Sequence, residues 1–161
     1  MIEIPGFVLS GAIRSKKTSQ KIISIPKKGA KRCPACGKAP GFPKILPSDA
    51  HHSWHKSAMD QCLIIKGKLA RGGVDLPVAS LVNVRADFYQ DVDRADCTGL
   101  YESLADLLQD AGIIVNDRLI SSWNGSRRLK DAGNPRIEVY IQVIQPVAVE
   151  RDLFVAVEEK W

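Results

Sequence analysis

From residue 82 to residue 89 apolar and polar positions alternate without a break. Val82, Val84, Ala86 and Phe88 fall on one side, Asn83, Arg85, Asp87 and Tyr89 on the other. A period of two is what a half-buried strand requires, because successive side chains point to opposite faces. The same pattern predicts a strand over RIEVYIQVI (136–144), with Ile137, Val139, Ile141 and Val143 facing one way. IEIPGFVL (2–9) alternates only in part, and Pro5, which has no N–H to give a neighbour, favours an edge. KIISIP (21–26) and FPKILP (42–47) predict two more strands, joined through RCPACGKAPG (32–41) as a hairpin with a cysteine-bearing loop. IIV (113–115) predicts a last short strand.

Two stretches change period. Ser48 suits an N-cap, Asp49 suits a first turn, and Ala50, Trp54, Ala58 and Cys62 share a helical face. The helix predicted there runs to about Lys68, with Gly72 and Gly73 beyond its end. Leu100, Leu104, Leu107, Leu108 and Ala111 mark a second helix, which Thr98 can cap and Gly112 can end. Two helices among several strands, not in strict alternation, predict an α+β fold: a single domain with a mixed β-sheet and two main helices. Residues 146–161 suit either a strand or a helix, and there is no internal repeat.

Composition adds little until charge is considered. The chain has 161 residues, 45% hydrophobic and 25% charged, as a soluble globular protein does. No run reaches the ~18 apolar residues of a membrane span. MIEIPGFVLSGAIRSKK lacks the basic start and long apolar run of a signal peptide. The expectation is a cytoplasmic protein with no membrane partner. The net charge of +5 is uneven: Arg14, Lys16, Lys17, Lys21, Lys27, Lys28, Lys31, Arg32, Lys38 and Lys44 lie in a segment without an acid. Such a segment suits a polyanion, most simply nucleic acid, and equally a solvated surface.

Two clusters carry candidate chemistry. Asp96 closes the loop before the second helix, Glu102 lies in its early turns, and Asp117 follows the IIV run. At about 100° per residue Glu102 points away from the apolar stripe, beside Asp106 and Gln109, as a solvated face would. Yet carboxylates from a strand end, a helix start and a following strand can converge on one hard cation such as Mg²⁺. Asp91, Asp93 and Asp106 read as plain solvated acids. The other cluster is Cys33-x2-Cys36 followed by His51 and His55, the ligand types and spacing of a structural zinc site. His52 with His55 is a second possible pair. Cys62 and Cys97 read as small apolar residues.

Residues 94–117, with PRIEVYI (135–141) downstream, resemble the RusA family of Holliday-junction endonucleases, common in phages and prophages. IPG (4–6), SKKTSQ (15–20) and LPSDAHHSWHKSA (46–58) stand where that family carries an IPG-like start, a basic turn and a PS-initiated helix. The likeness covers about residues 2–144. It implies a RusA-like nuclease domain over 1–145, with a CxxC hairpin insertion at about 29–42 and a C-terminal extension over 146–161. It also implies a homodimer and Mg²⁺-dependent cleavage of branched, four-way DNA.

Carried over by position, Asp96 and Asp117 match family aspartates. Thr98 and Gly99 replace an aspartate and an asparagine, Glu102 replaces a lysine, and Asn116 replaces the first of two aspartates. Glu102, one turn beyond Thr98, could return the lost carboxylate, which makes Asp96, Glu102 and Asp117 the expected catalytic and Mg²⁺-binding set. Lys16, Lys17, Lys21 and Arg94 are the expected DNA-backbone contacts. Arg127, Arg128 and Lys130 form a second basic cluster or a solvated loop. Two other readings stay open: a DNA-binding protein of the same fold whose catalysis is impaired, and a small zinc-bearing protein with no nucleic-acid role.

Overall fold

The computed structural model describes residues 2–16, 20–92 and 96–144. Its centre is strand β4 (Val82–Gln90), the segment with the cleanest alternation. Antiparallel to it runs β7 (Arg136–Val143), and beyond β7 lies β1 (Ile2–Ser10), also antiparallel. β1 is thus an edge, and its register slips between Ile4 and Phe7, where Pro5 breaks the ladder. On the far side of β4 the neighbour is split. β5 (Ile120–Ser122) and β6 (Arg127–Lys130) both pair with it in parallel, one after the other. With β5 and β6 the sheet is mixed and five-stranded, and with two main helices the described residues form a single α+β domain.

A separate two-stranded hairpin joins β2 (Gln20–Pro26) to β3 (Gly41–Pro47) in unbroken register. Helix α1 (Asp49–Arg71) starts directly after it, where Ser48 Oγ accepts the His51 amide at 3.1 Å. α1 runs one turn past the expected Lys68 and stops at Gly72. Its buried stripe is His51, Trp54, Ala58, Cys62 and Leu69; Ala50, expected inside, is exposed and His51 takes its place. Helix α2 (Cys97–Asp110) buries Leu100, Leu104, Leu107 and Leu108. Gly112, at φ +63°, makes the left-handed turn that ends it.

The core unites these helix faces with Val82, Val84, Ala86 and Phe88 of β4 and Ile137, Val139 and Ile141 of β7. Each fully buried Leu or Phe contributes roughly 1.5–3 kcal/mol by leaving water. Residues 113–115 do not form the expected strand: a single bridge, Val78 to Ile114, is all that pairs there. Residues 127–130, open between a basic cluster and a solvated loop, are strand β6. No helix among the described residues is long and apolar enough to cross a membrane. Residues 146–161 lie outside the described residues.

Candidate active-site cleft

The chain after β1 is stitched between the two helices, and this sets the cleft. Ile13 is fully buried, and the Arg14 carbonyl accepts a 2.8 Å hydrogen bond from His51 Nδ1 of α1. Burial pushes the His51 imidazole below its ordinary range, despite that bond. Arg14 itself pairs with Asp91 at 2.7 Å, so Asp91 is an ion-pair partner and not a free solvated acid. Ser15 is buried against Gly99 of α2, where an added Cβ would strike Ser15 Oγ and Asp96 Oδ1. The Lys16 amide donates to Ser103 Oγ at 3.2 Å, and Lys16 Nζ reaches Asp106 Oδ2 at 2.9 Å. Lys16 is therefore held over the outward face of α2.

That face lines a cleft of about 470 Å³ whose other wall is the base of the hairpin. Lys16, Glu102, Asp106 and Asp117 meet Gln20, Ile45, Leu46 and Pro47 across it. A second lobe of about 270 Å³ shares Glu102, Asp106 and Asp117 and adds Thr98, Tyr101, Ile120 and Trp123. Tyr101 and Trp123 are stacked, 4.7 Å between ring centres and 7° from parallel. Asp117 opens a short 3₁₀ turn (Asp117–Leu119), where Asn116 Oδ1 accepts the Arg118 amide, and its own amide donates to Gln109 Oε1 of α2 at 2.9 Å. This contact, and not a returning strand, brings Asp117 back to the helix.

Of the expected carboxylates, Glu102 and Asp117 share both lobes. Asp96 stands at the start of α2. It is the N-cap of α2, its Oδ1 accepting the Gly99 amide at 2.6 Å, while Thr98, expected as the cap, sits inside the helix. Asp106, read from sequence as solvated, belongs to the cleft. Its signal was the four-residue spacing from Glu102, which puts both on one helix face. Tyr101 has the same kind of signal; Trp123 has none, because it comes from a turn between β5 and β6.

The electrostatics are acidic around one cation. The hydrogen bond to Asp106, with attraction from Asp106, Asp110 and Glu102, holds the Lys16 ammonium above the usual lysine range. Lys21 pairs with Asp49 at 3.1 Å. Lys17, Arg94 and Asp93 lie outside the described residues. The donors facing the cleft are hard oxygens, which fit Mg²⁺, an ion commonly held by one or two carboxylates with waters and substrate phosphate. Among the described residues, no three His, Cys, Asp or Glu side chains are gathered closely enough to hold a metal by themselves.

The cysteine–histidine set is not brought together within the chain. Cys33 and Cys36 lie beyond the Pro26–Gly41 end of the hairpin, while His51 and His55 follow its Gln20–Pro47 end. The ladder between spans roughly 20 Å at the usual rise of a strand. His51 is buried on Arg14, and His55 Nε2 lies 3.2 Å from Asp110. Cys33 and Cys36 are exposed, and the backbone N–H groups of Cys36 and Ala35 face the Cys33 sulfur, holding that thiol below its ordinary range. Comparison of the sequence with protein-family models and with curated proteins gives no match.

Proposed function

We propose that the chain is a metal-dependent endodeoxyribonuclease of the RusA type, cleaving phosphodiesters in branched DNA in the cytoplasm as a homodimer. The observation that carries this reading is the shared cleft of Lys16, Glu102 and Asp117. These three were singled out from separate parts of the sequence for backbone contact and metal binding, and the fold puts them on one surface. The adjoining hairpin and its loop supply Lys27, Lys28, Lys31, Arg32, Lys38 and Lys44, a basic arm suited to a phosphate backbone.

Glu102 and Asp117 would hold Mg²⁺, with Asp106 beside them. Bound there, the ion would supply acidification of a water and would offset charge on the scissile phosphate. Lys16, kept charged by its acidic neighbours, would orient a phosphate oxygen. The stacked Tyr101–Trp123 pair gives the second lobe a flat aromatic wall against which an unpaired base can lie.

One observation favours the alternative, a DNA-binding protein of impaired catalysis. The Asp96 carboxylate caps α2 through Oδ1, and the side chain at 98 is a threonine, so the site has fewer free carboxylate oxygens than the family pattern would supply. Cleavage of a labelled four-way junction separates the readings. Paired symmetric nicks that need Mg²⁺ and disappear in Glu102→Gln and Asp117→Asn are the expected result. Tight binding without nicks in Mg²⁺ or Mn²⁺ would leave the binding protein.

A further inference from the structure

The loop at the far end of the hairpin is a tight turn carrying two cysteines. The Cys33 amide donates to the Lys38 carbonyl at 2.9 Å, and the Gly37 amide donates back to the Cys33 carbonyl at 2.8 Å. Gly37 sits at φ +68°, a left-handed turn natural to glycine. The amides of Ala35 and Cys36 face the first sulfur, and the Cys36 side chain closes on it. Two thiols are thus set side by side, with backbone N–H groups placed to stabilise a thiolate.

A structural zinc ion needs four ligands, and this turn offers two. Within the chain the remaining candidates are accounted for. Cys62 is buried in the core, Cys97 opens α2 against Tyr101, and His51 and His55 are held at the opposite end of the hairpin. The sequence has one more histidine, His52, on the same turn of α1. The turn itself is exposed at the end of an arm both of whose strands lie largely in solvent.

We propose that Cys33 and Cys36 bind zinc together with Cys33 and Cys36 of a second copy of this chain, giving one tetrathiolate site on the two-fold axis of a dimer. A two-fold operation brings identical turns face to face, so four sulfurs close the tetrahedron without any other residue. Each thiol gives its proton to solvent as it ligates, leaving a zinc–thiolate group of charge 2−. Lys27, Lys28, Lys31, Arg32 and Lys38 from each copy surround that charge with no acid among them. The site stands apart from the cleft and does not depend on nuclease activity.

The test uses the full chain, purified under reducing conditions, with zinc and then cobalt(II) as probes. Expected are one zinc per two chains, a dimer mass for the zinc-bearing species, and the cobalt bands of a tetrathiolate. Cys33→Ser and Cys36→Ser, at exposed positions, should lower zinc to background while keeping the melting curve of the sheet domain. His51→Gln, His52→Gln and His55→Gln should each keep full zinc. One zinc per chain, zinc on a monomer, loss of zinc in a histidine variant, or no tight zinc on the reduced protein would each overturn the proposal.

Discussion

Arg127 holds Asp87 with both sides of its guanidinium, Nε to Oδ1 at 2.9 Å and Nη2 to Oδ2 at 3.0 Å. Asp87 is only 2% exposed, although it lies on the face of β4 that alternation assigns to solvent. Arg85 adds a third contact at 3.6 Å. The pair fixes β6 beside β4 at the register Asp87 to Arg127, and so bridges a parallel junction that has only four residues a side.

This pair makes stability depend on acid. The Arg127 hydrogen bond, helped by both guanidinium charges, holds the Asp87 carboxyl below its ordinary range against the opposing effect of burial. A carboxyl lowered on folding contributes stability above its unfolded pKa and loses it as pH falls through the folded value. The melting temperature should therefore drop as the pH falls below the ordinary aspartate range, about pH 4. Asp87→Asn should melt lower at pH 7 and show a shallower acid slope. Equal slopes in calorimetry for the two proteins would refute the assignment.

The capping of α2 by Asp96 and the catalytic part proposed for it can be tested separately. Asparagine caps a helix as well as aspartate, whereas alanine costs about 1 kcal/mol. Asp96→Asn should keep the melting temperature and Asp96→Ala should lower it by a few degrees. If Asp96→Asn, folded and binding junctions normally, also fails to cut them, the carboxylate is part of the chemistry. Unchanged cutting would limit Asp96 to capping.

Gly99 has no room for a side chain, because Ser15 Oγ and Asp96 Oδ1 fill the space that one would occupy. Gly99→Asn should destabilise by about 1–3 kcal/mol, the usual cost of overpacking. A urea midpoint within error of the parent would show that the Ser15 contact yields easily. The companion variant Ser15→Gly should recover part of the loss.

Thiol reactivity follows exposure. Cys33, Cys36 and Cys97 are exposed, while Cys62 is buried and its thiol pushed up to about 11. Mass spectrometry after brief alkylation of the zinc-free native protein should find labels on the first three, fastest at Cys33, and none on Cys62 until denaturant is added. Early labelling of Cys62 would mean that the face of α1 opens readily.

The elements with a single clear period were legible in the sequence. β4, β7 and the leucine stripe of α2 lie where periodicity puts them, because one face of each is buried in the same core. β5 and β6 gave no such signal, since their residues are mostly exposed or half-buried and they pair by register alone. Ala50 and His51 were exchanged because an imidazole can be buried when a carbonyl, here that of Arg14, meets its N–H. At the cleft, Glu102 and Asp117 were readable as carboxylates. Their meeting with Lys16 depends on Ser15, Gly99, Ser103 and Gln109, contacts between distant segments that no local pattern records.

The pairing of β1 with β7 sets the order in which the protein can be made. Ile2 lies opposite Val143, so β1 has no partner in this sheet until β7, the last of its described strands, has also been made. Until then β1 offers a bare row of amides and carbonyls beside apolar Ile4 and Leu9, the kind of surface on which nascent chains associate wrongly. Folding is expected to be slow for a domain of this size, as closure waits on the most distant contacts in the fold. The segment that β1 leads into carries Lys16, so the cleft is assembled only when synthesis of the sheet is complete.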